Sequence, residues 1–271
     1  MNNFPIILAG SGNSVPFLNS RYNHNGFKNG LDPKLESVIK GNYSIGLNNF
    51  FQYGCDTTFT SFVDASFYED NYKALSALPL IIGKLSPELK RHEHDITHPN
   101  TMLFKKSNRY NGKESFSKGI YSTQLVGLFA LSIAIALGFR ELYIIGFDGC
   151  EVNGQTHFYQ GVIDLNKKVD LMVNKKKVGD REVWRGIGKK QTKKGERFKT
   201  STYNKPDNLN KIWFKPFKDL KDIKIYNVSS KSKIELFEKI DYDAFYSKVT
   251  NNYIDQNKAR EDFKNIIEKL K

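Results

Sequence analysis

The sequence predicts an α/β protein built on a doubly wound, mostly parallel sheet, with a basic segment inserted late in the chain. Three observations carry that expectation. Apolar runs of five to seven residues recur along the chain and stop at Gly, Asn or Asp, as strands buried on both faces do. The longest apolar stretch, residues 125–139, reads as a helix and passes directly into one of these runs, which is the alternation of a parallel sheet. Residues 160–211 are polar without a sustained period and read as an inserted lid or long loop.

In chain order, residues 5–9 (PIILA) form the first strand and end at the turn Gly10-Ser11-Gly12-Asn13-Ser14. Further strands are expected at 43–47, 59–63 and 78–82, with a helix over 67–75 capped by Ser66. The clearest helix takes Ser122 or Thr123 as its N-cap, runs to Leu137 and stops at Gly138. Residues 141–147 (ELYIIGF) follow as a buried strand ending at Asp148, and 222–228 (DIKIYNV) rejoin the sheet. The chain closes with a polar helix over 255–270, carrying Ile266, Ile267 and Leu270 on one face. This divides the chain into an α/β unit at 1–159, the insertion at 160–211, and 212–271, which completes the first unit.

The 271 residues can bury a large core, and 39% hydrophobic with 26% charged residues excludes a disordered or fibrous chain. No run reaches the roughly 20 apolar residues of a membrane-spanning helix. The N-terminus lacks a basic n-region and reads as a strand, not a signal. Two cysteines, Cys55 and Cys150, do not make a disulfide framework, so the cytoplasm is the expected compartment.

Charge is uneven. The chain carries a net +13, and residues 166–200 alone hold 13 basic and four acidic side chains, a net +9. Lys175, Lys176, Lys177, Arg181, Arg185, Lys189, Lys190, Lys193, Lys194 and Arg197 lie here, interleaved with Trp184, Phe198 and, just beyond, Tyr203. The run reads either as a solvated loop or as a surface for a polyanion such as DNA, where cations neutralise phosphates and aromatics stack on bases.

The turn Gly10–Ser14 sits where an α/β fold presents N–H groups and a helix N-terminus to phosphate. It lacks the third Gly of a dinucleotide fingerprint and the Lys-Ser/Thr of a P-loop. Asn48 and Asp64 end strands, so parallel pairing would place them in the same crevice, although each also suits a plain turn. Asp148 ends the strand after the long helix. A turn at Asn153-Gly154 would bring His157 back towards that edge, as a general base or as a structural histidine. His92, His94, Asp95 and His98 have metal-like spacings without a zinc pattern, and Asp241-Tyr242-Asp243 reads as a solvated acidic pair, so no metal is expected.

Taken together, ILAGSGNS, GLNNF, SFVDASFYED and IAIALGFRELYIIGFD, in that order, resemble the bacterial lipooligosaccharide sialyltransferases of glycosyltransferase family 42 and related proteins of glycan loci and phage genomes. The resemblance covers roughly residues 4–150. It implies a Rossmann-like nucleotide-binding domain with a small lid, metal-free transfer without a cofactor, and a nucleotide-sugar donor. By the same resemblance Gly10, Ser11, Gly12, Asn13 and Ser14 hold donor phosphate, Asn48 and Asp64 face the nucleotide, and Gly127 lies near the sugar. Asp64 stands where the family has Asn, Val126 replaces a Ser, and Cys150 replaces a phosphate-contacting Tyr. The family's lid His has no counterpart, since no His follows His157, which leaves His157 or Asp148 for the base. The function expected is transfer of a sugar to a polyanionic acceptor such as hydroxymethylpyrimidine DNA. The alternatives are transfer to a surface glycan, a nucleic-acid-binding module without catalysis, and a Mg²⁺-dependent diphosphotransferase.

Overall fold

The computed structural model describes residues 4–12, 14–18, 30–53, 55–84, 98–122, 125–150, 174–178, 181–186, 189–191, 197–198, 208–249 and 252–271. Its centre is strand β1 (Ile6–Ala9), every residue of which is buried. After a short antiparallel pair, β2 (Phe17–Leu18) and β3 (Gly30–Leu31), comes helix α1 (Pro33–Lys40). Asp32 caps α1 by accepting hydrogen bonds from the N–H groups of Lys34 and Leu35, and Pro33 presets the first turn. The chain then builds β4 (Tyr43–Leu47), α2 (Phe50–Tyr53), β5 (Phe59–Phe62), α3 (Ala65–Asp70), α4 (Tyr72–Ser76), β6 (Ile81–Lys84) and β7 (Thr101–Phe104). A second short pair, β8 (Lys106–Ser107) and β9 (Ile120–Tyr121), flanks α5 (Ser115–Lys118). Helix α6 (Val126–Ala136) and β10 (Glu141–Ile145) follow.

Beyond β10 lies a four-stranded antiparallel sheet of β11 (Asn174–Val178), β12 (Arg181–Gly186), β13 (Lys189–Gln191) and β14 (Arg197–Phe198). The expected loop therefore contains strands. These strands are two to six residues long and polar, which leaves a period too short to read. Strands β15 (Lys224–Val228) and β16 (Glu238–Lys239) and helices α7 (Tyr242–Lys248) and α8 (Gln256–Leu270) complete the chain.

The main sheet has the order β16-β15-β10-β1-β4-β5-β6-β7, and every adjacent pair is parallel. Alternation along β1 shows why it is doubly wound. Ile6 and Leu8 join a core with α6 and Phe263 of α8, while Ile7 and Ala9 join one with α1 and Phe245 of α7. Helix α6 is apolar on all sides because it is buried on all sides, residues 127–136 without exception.

Several boundaries differ from the sequence reading. The helix expected over 67–75 is two short helices broken at Asn71, and Ser66 lies inside the first. Helix α6 starts after Leu125, not at Ser122 or Thr123, and no side chain caps it. Helix α1 and strand β7 were not expected, because one is short and the other follows a polar stretch.

The amino edge of the sheet is closed by α8. Arg260 donates from Nε to Thr58 O (3.0 Å) and from its terminal Nη2 to Thr57 O (3.0 Å), and Gln256 Nε2 donates to Lys40 O (2.8 Å) and Asn42 O (2.9 Å). Beside this edge Cys55 is buried, and burial first, then the Glu36 charge, pushes its thiol from 9.0 up to about 12. The folded thiol thus keeps its proton where the unfolded one has lost it. Its contribution is complete below pH 9 and is lost as pH rises towards about 12, at about 1.4 kcal/mol per pH unit. Cys55→Ala should flatten the alkaline limb of a Tm-against-pH curve, and an unchanged limb would contradict this.

Candidate functional site

From β1 the chain steps outward through β4, β5, β6 and β7, then returns to the other side of β1 for β10, β15 and β16. The order therefore reverses between β1 and β10. Loops leaving the two strands diverge there, and open α/β sheets bind ligands in the resulting crevice at the carboxyl ends. Parallel pairing places the strand ends at Gly10, Asn48, Asp64, Gly146–Asp148 and Ser229 along this one edge.

The crevice floor is a backbone junction. Gly10 N–H donates to Ile145 O (2.8 Å) and Gly12 N–H to Gly146 O (3.0 Å). A Cβ on Gly12 would lie 2.4 Å from Gly146 O and 2.6 Å from Asp148 Oδ2, so only glycine permits this approach. Gly146 turns the chain at φ +67, a conformation that side chains resist.

Asp148 locks the junction. It is 2% exposed, and its Oδ2 accepts from Ser14 N–H (2.8 Å), while its Oδ1 accepts from Ser14 Oγ (2.5 Å) and Ser229 Oγ (3.2 Å). Nearby, Tyr242 Oη is buried without a partner among the described residues, and burial together with the Asp148 charge pushes its pKa well up.

This geometry bears on three of the expected site positions. The turn after β1 does not open a helix but runs into β2, and the N–H groups of Gly10, Gly12 and Ser14 are engaged within the protein. Asp148 accepts from three donors, two of Ser14 and one of Ser229. Gly127 packs against protein: a Cβ there would lie 2.4 Å from Phe147 Cε1.

Asn48 adopts φ +49, donates its N–H to Ser61 O (3.0 Å), and holds Oδ1 buried with no donor among the described residues. Asp64 is exposed, and its main-chain oxygen accepts from Phe67 N–H (3.1 Å) at the start of α3. Ser11 is half-buried at the crevice. Asn13, His157, Lys193 and Lys194 lie outside the described residues, as do His92, His94, Asp95 and Tyr203. Lys175, Lys176 and Lys177 fall on β11, Arg181 and Arg185 on β12, Lys189 and Lys190 on β13, and Arg197 on β14. The insertion is rooted at the crevice, since a Cβ on Gly149 would lie 2.6 Å from Leu209 Cδ1, and Asn210 Nδ2 donates to Lys233 O (2.8 Å).

Sequence reasoning missed one feature at this edge. The contact of Gly127 with Phe147 brings the first turn of α6 to the carboxyl end of β10. That turn has neither a side-chain cap nor an acidic residue. Leu128 N–H donates to Leu125 O (3.2 Å), and the first turn carries the positive end of the helix dipole, which suits an anion. The signal was Leu125 in the cap position, obscured by Ser122 and Thr123. Among the described residues no group of three His, Cys, Asp or Glu could hold a metal, and Asp241 caps α7 by accepting from Ala244 N–H (2.7 Å). No helix among the described residues is long and apolar enough to cross a membrane.

The sheet order and the crevice define an α/β protein of Rossmann-like fold. The MAf glycosyltransferase from Magnetospirillum magneticum AMB-1 has a similar fold, with a TM-score of 0.51 and 16% identity over 100% of this chain and 38% of that one. This chain thus spans well under half the length of that protein. The sialyltransferase CstII from Campylobacter jejuni, solved with the substrate analogue cytidine-5'-monophosphate, aligns with a TM-score of 0.41 and 16% identity over 94% of this chain and 88% of that one. No protein-family model matches the chain, and no curated protein sequence matches it.

Proposed function

We propose that the protein is a nucleotide-sugar-dependent glycosyltransferase whose donor lies at the carboxyl edge between β1 and β10. One observation carries this reading: the uncapped N-terminus of α6 opens at the point where the strand order reverses, so dipole and crevice coincide. A fold held in common with a glycosyltransferase supports it. In this reading the donor phosphate meets the α6 N-terminus, and Ser11, Asn48 and Asp64 line the nucleotide. Developing charge on the departing nucleotide is stabilised by the same dipole. The base is His157, seven residues beyond Cys150 at the crevice rim. No cofactor enters the reaction.

The acceptor in this reading is a polyanion, with hydroxymethylpyrimidine DNA as the specific candidate. Its support is the +9 of residues 166–200, in an insertion rooted beside Asp148. A duplex acceptor would require the target base to be flipped out, at a cost of a few kcal/mol. The test is incubation with a panel of nucleotide sugars and hydroxymethylated DNA, read by nucleoside mass spectrometry, with surface glycans as parallel acceptors. A glycosylated nucleoside is the expected product. Transfer to glycans alone would overturn the DNA acceptor, and no transfer from any donor would overturn the enzyme. His157→Ala should lower turnover by about 10²–10⁴-fold with donor affinity kept, and near-parental turnover would remove His157 from the chemistry.

A further inference from the structure

We infer that Asp148 is a positioning residue, a hydrogen-bonded clamp that gives the nucleotide crevice its shape without touching the ligand; this rests on the donor site proposed above. Three strand ends flank the switch point, and Asp148 is bonded to all of them. It continues β10 itself, takes both donors of Ser14 from the β1 turn, and takes the hydroxyl of Ser229 immediately after β15. Its main-chain oxygen also accepts from Lys233 N–H (2.8 Å), which fixes the loop beyond β15. No Lys, Arg or His among the described residues forms an ion pair with it, and its side-chain partners there are two hydroxyls and one N–H. Oδ2 accepts from one donor and Oδ1 from two, and the position of each donor sets the crevice wall. An amide at 148 keeps one acceptor: it either sets Nδ2 against the Ser14 N–H, donor against donor, or flips and requires the Ser14 and Ser229 hydroxyls to accept where they now donate, so the clamp weakens. Displacements of about 1 Å in a positioned site are enough for large functional losses.

The clamp is tested with Asp148→Asn, Ser14→Ala, Ser229→Ala and the conservative Ser14→Thr, which keeps both donors. Two readouts are used: affinity for cytidine, uridine and guanosine mono- and diphosphates measured well below each variant's Tm, and amide hydrogen exchange across residues 10–15. Asp148→Asn and Ser14→Ala should each weaken nucleotide binding by roughly tenfold or more, and the double variant should be no weaker than Asp148→Asn alone, because both remove one interaction. Ser14→Thr should restore affinity. Exchange at Gly12 and Ser14 should rise in Asp148→Asn while β4 is unchanged. Affinity within threefold of the parent in Asp148→Asn, or strictly additive losses, would overturn the clamp. If Asp148→Asn fails to fold, parental affinity in both serine-to-alanine variants overturns it instead. A parent that binds none of the nucleotides refutes the donor site, and the exchange data then decide the clamp separately: unchanged exchange at residues 10–15 overturns it.

Discussion

Gly12→Val should destabilise the whole α/β unit by roughly 3 kcal/mol or more, through overpacking and the loss of buried hydrogen bonds. From the sequence alone, this glycine makes room for a phosphate, and its replacement would remove binding while sparing the fold. In the structure the room is filled by the protein itself. The new Cβ would meet Gly146 O at 2.4 Å and Asp148 Oδ2 at 2.6 Å, and neither is the loose end of a flexible side chain. Relief requires the β1 turn to leave β10, which breaks the Gly12–Gly146 hydrogen bond and exposes the Asp148 clamp. Urea unfolding should show a lower midpoint with an unchanged slope. A midpoint equal to the parent's would mean that the junction is looser than its geometry.

Phe263→Ala should cost roughly 3–5 kcal/mol, the range of a large aromatic removed from a core that cannot collapse. Phe263 is fully buried in α8, stacked on Tyr43 at 5.4 Å and edge-on to Phe59 and Phe139 at 5.7 and 5.8 Å. These rings lie at the amino edge, opposite the crevice. The folded variant should therefore lose stability and retain nucleotide affinity, measured by calorimetry at low temperature. A loss of affinity as large as the loss of stability would contradict the separation of the two edges.

The sheet was legible in the sequence where its residues are buried on both faces. Residues 43–47 and most of 5–9, 59–63 and 141–147 are strands because runs such as IILA and ELYII have no polar alternation to suggest any other arrangement. Parallel pairing then made the carboxyl edge the candidate site by topology. What could not be read was local donor bookkeeping. Gly10-Ser11-Gly12 has the composition of a phosphate loop, yet the N–H groups of Gly10 and Gly12 go to Ile145 and Gly146, more than 130 positions away. The partners of Asp148 could not be read either, because Ser14 and Ser229 lie 134 and 81 positions away. Conversely the α6 N-terminus was hidden because Ser122 and Thr123 offered better caps than Leu125.

The central claim, that nucleotide binds where β1 and β10 diverge, is tested most directly by photo-crosslinking the full chain with an azido-nucleotide and mapping the labelled peptides by mass spectrometry. Labelling that unmodified nucleotide competes away should fall on peptides containing residues 10–15, 125–128 and 146–150. Competed labelling confined to the amino edge, in peptides containing residues 98–101 or 252–260, would contradict the claim.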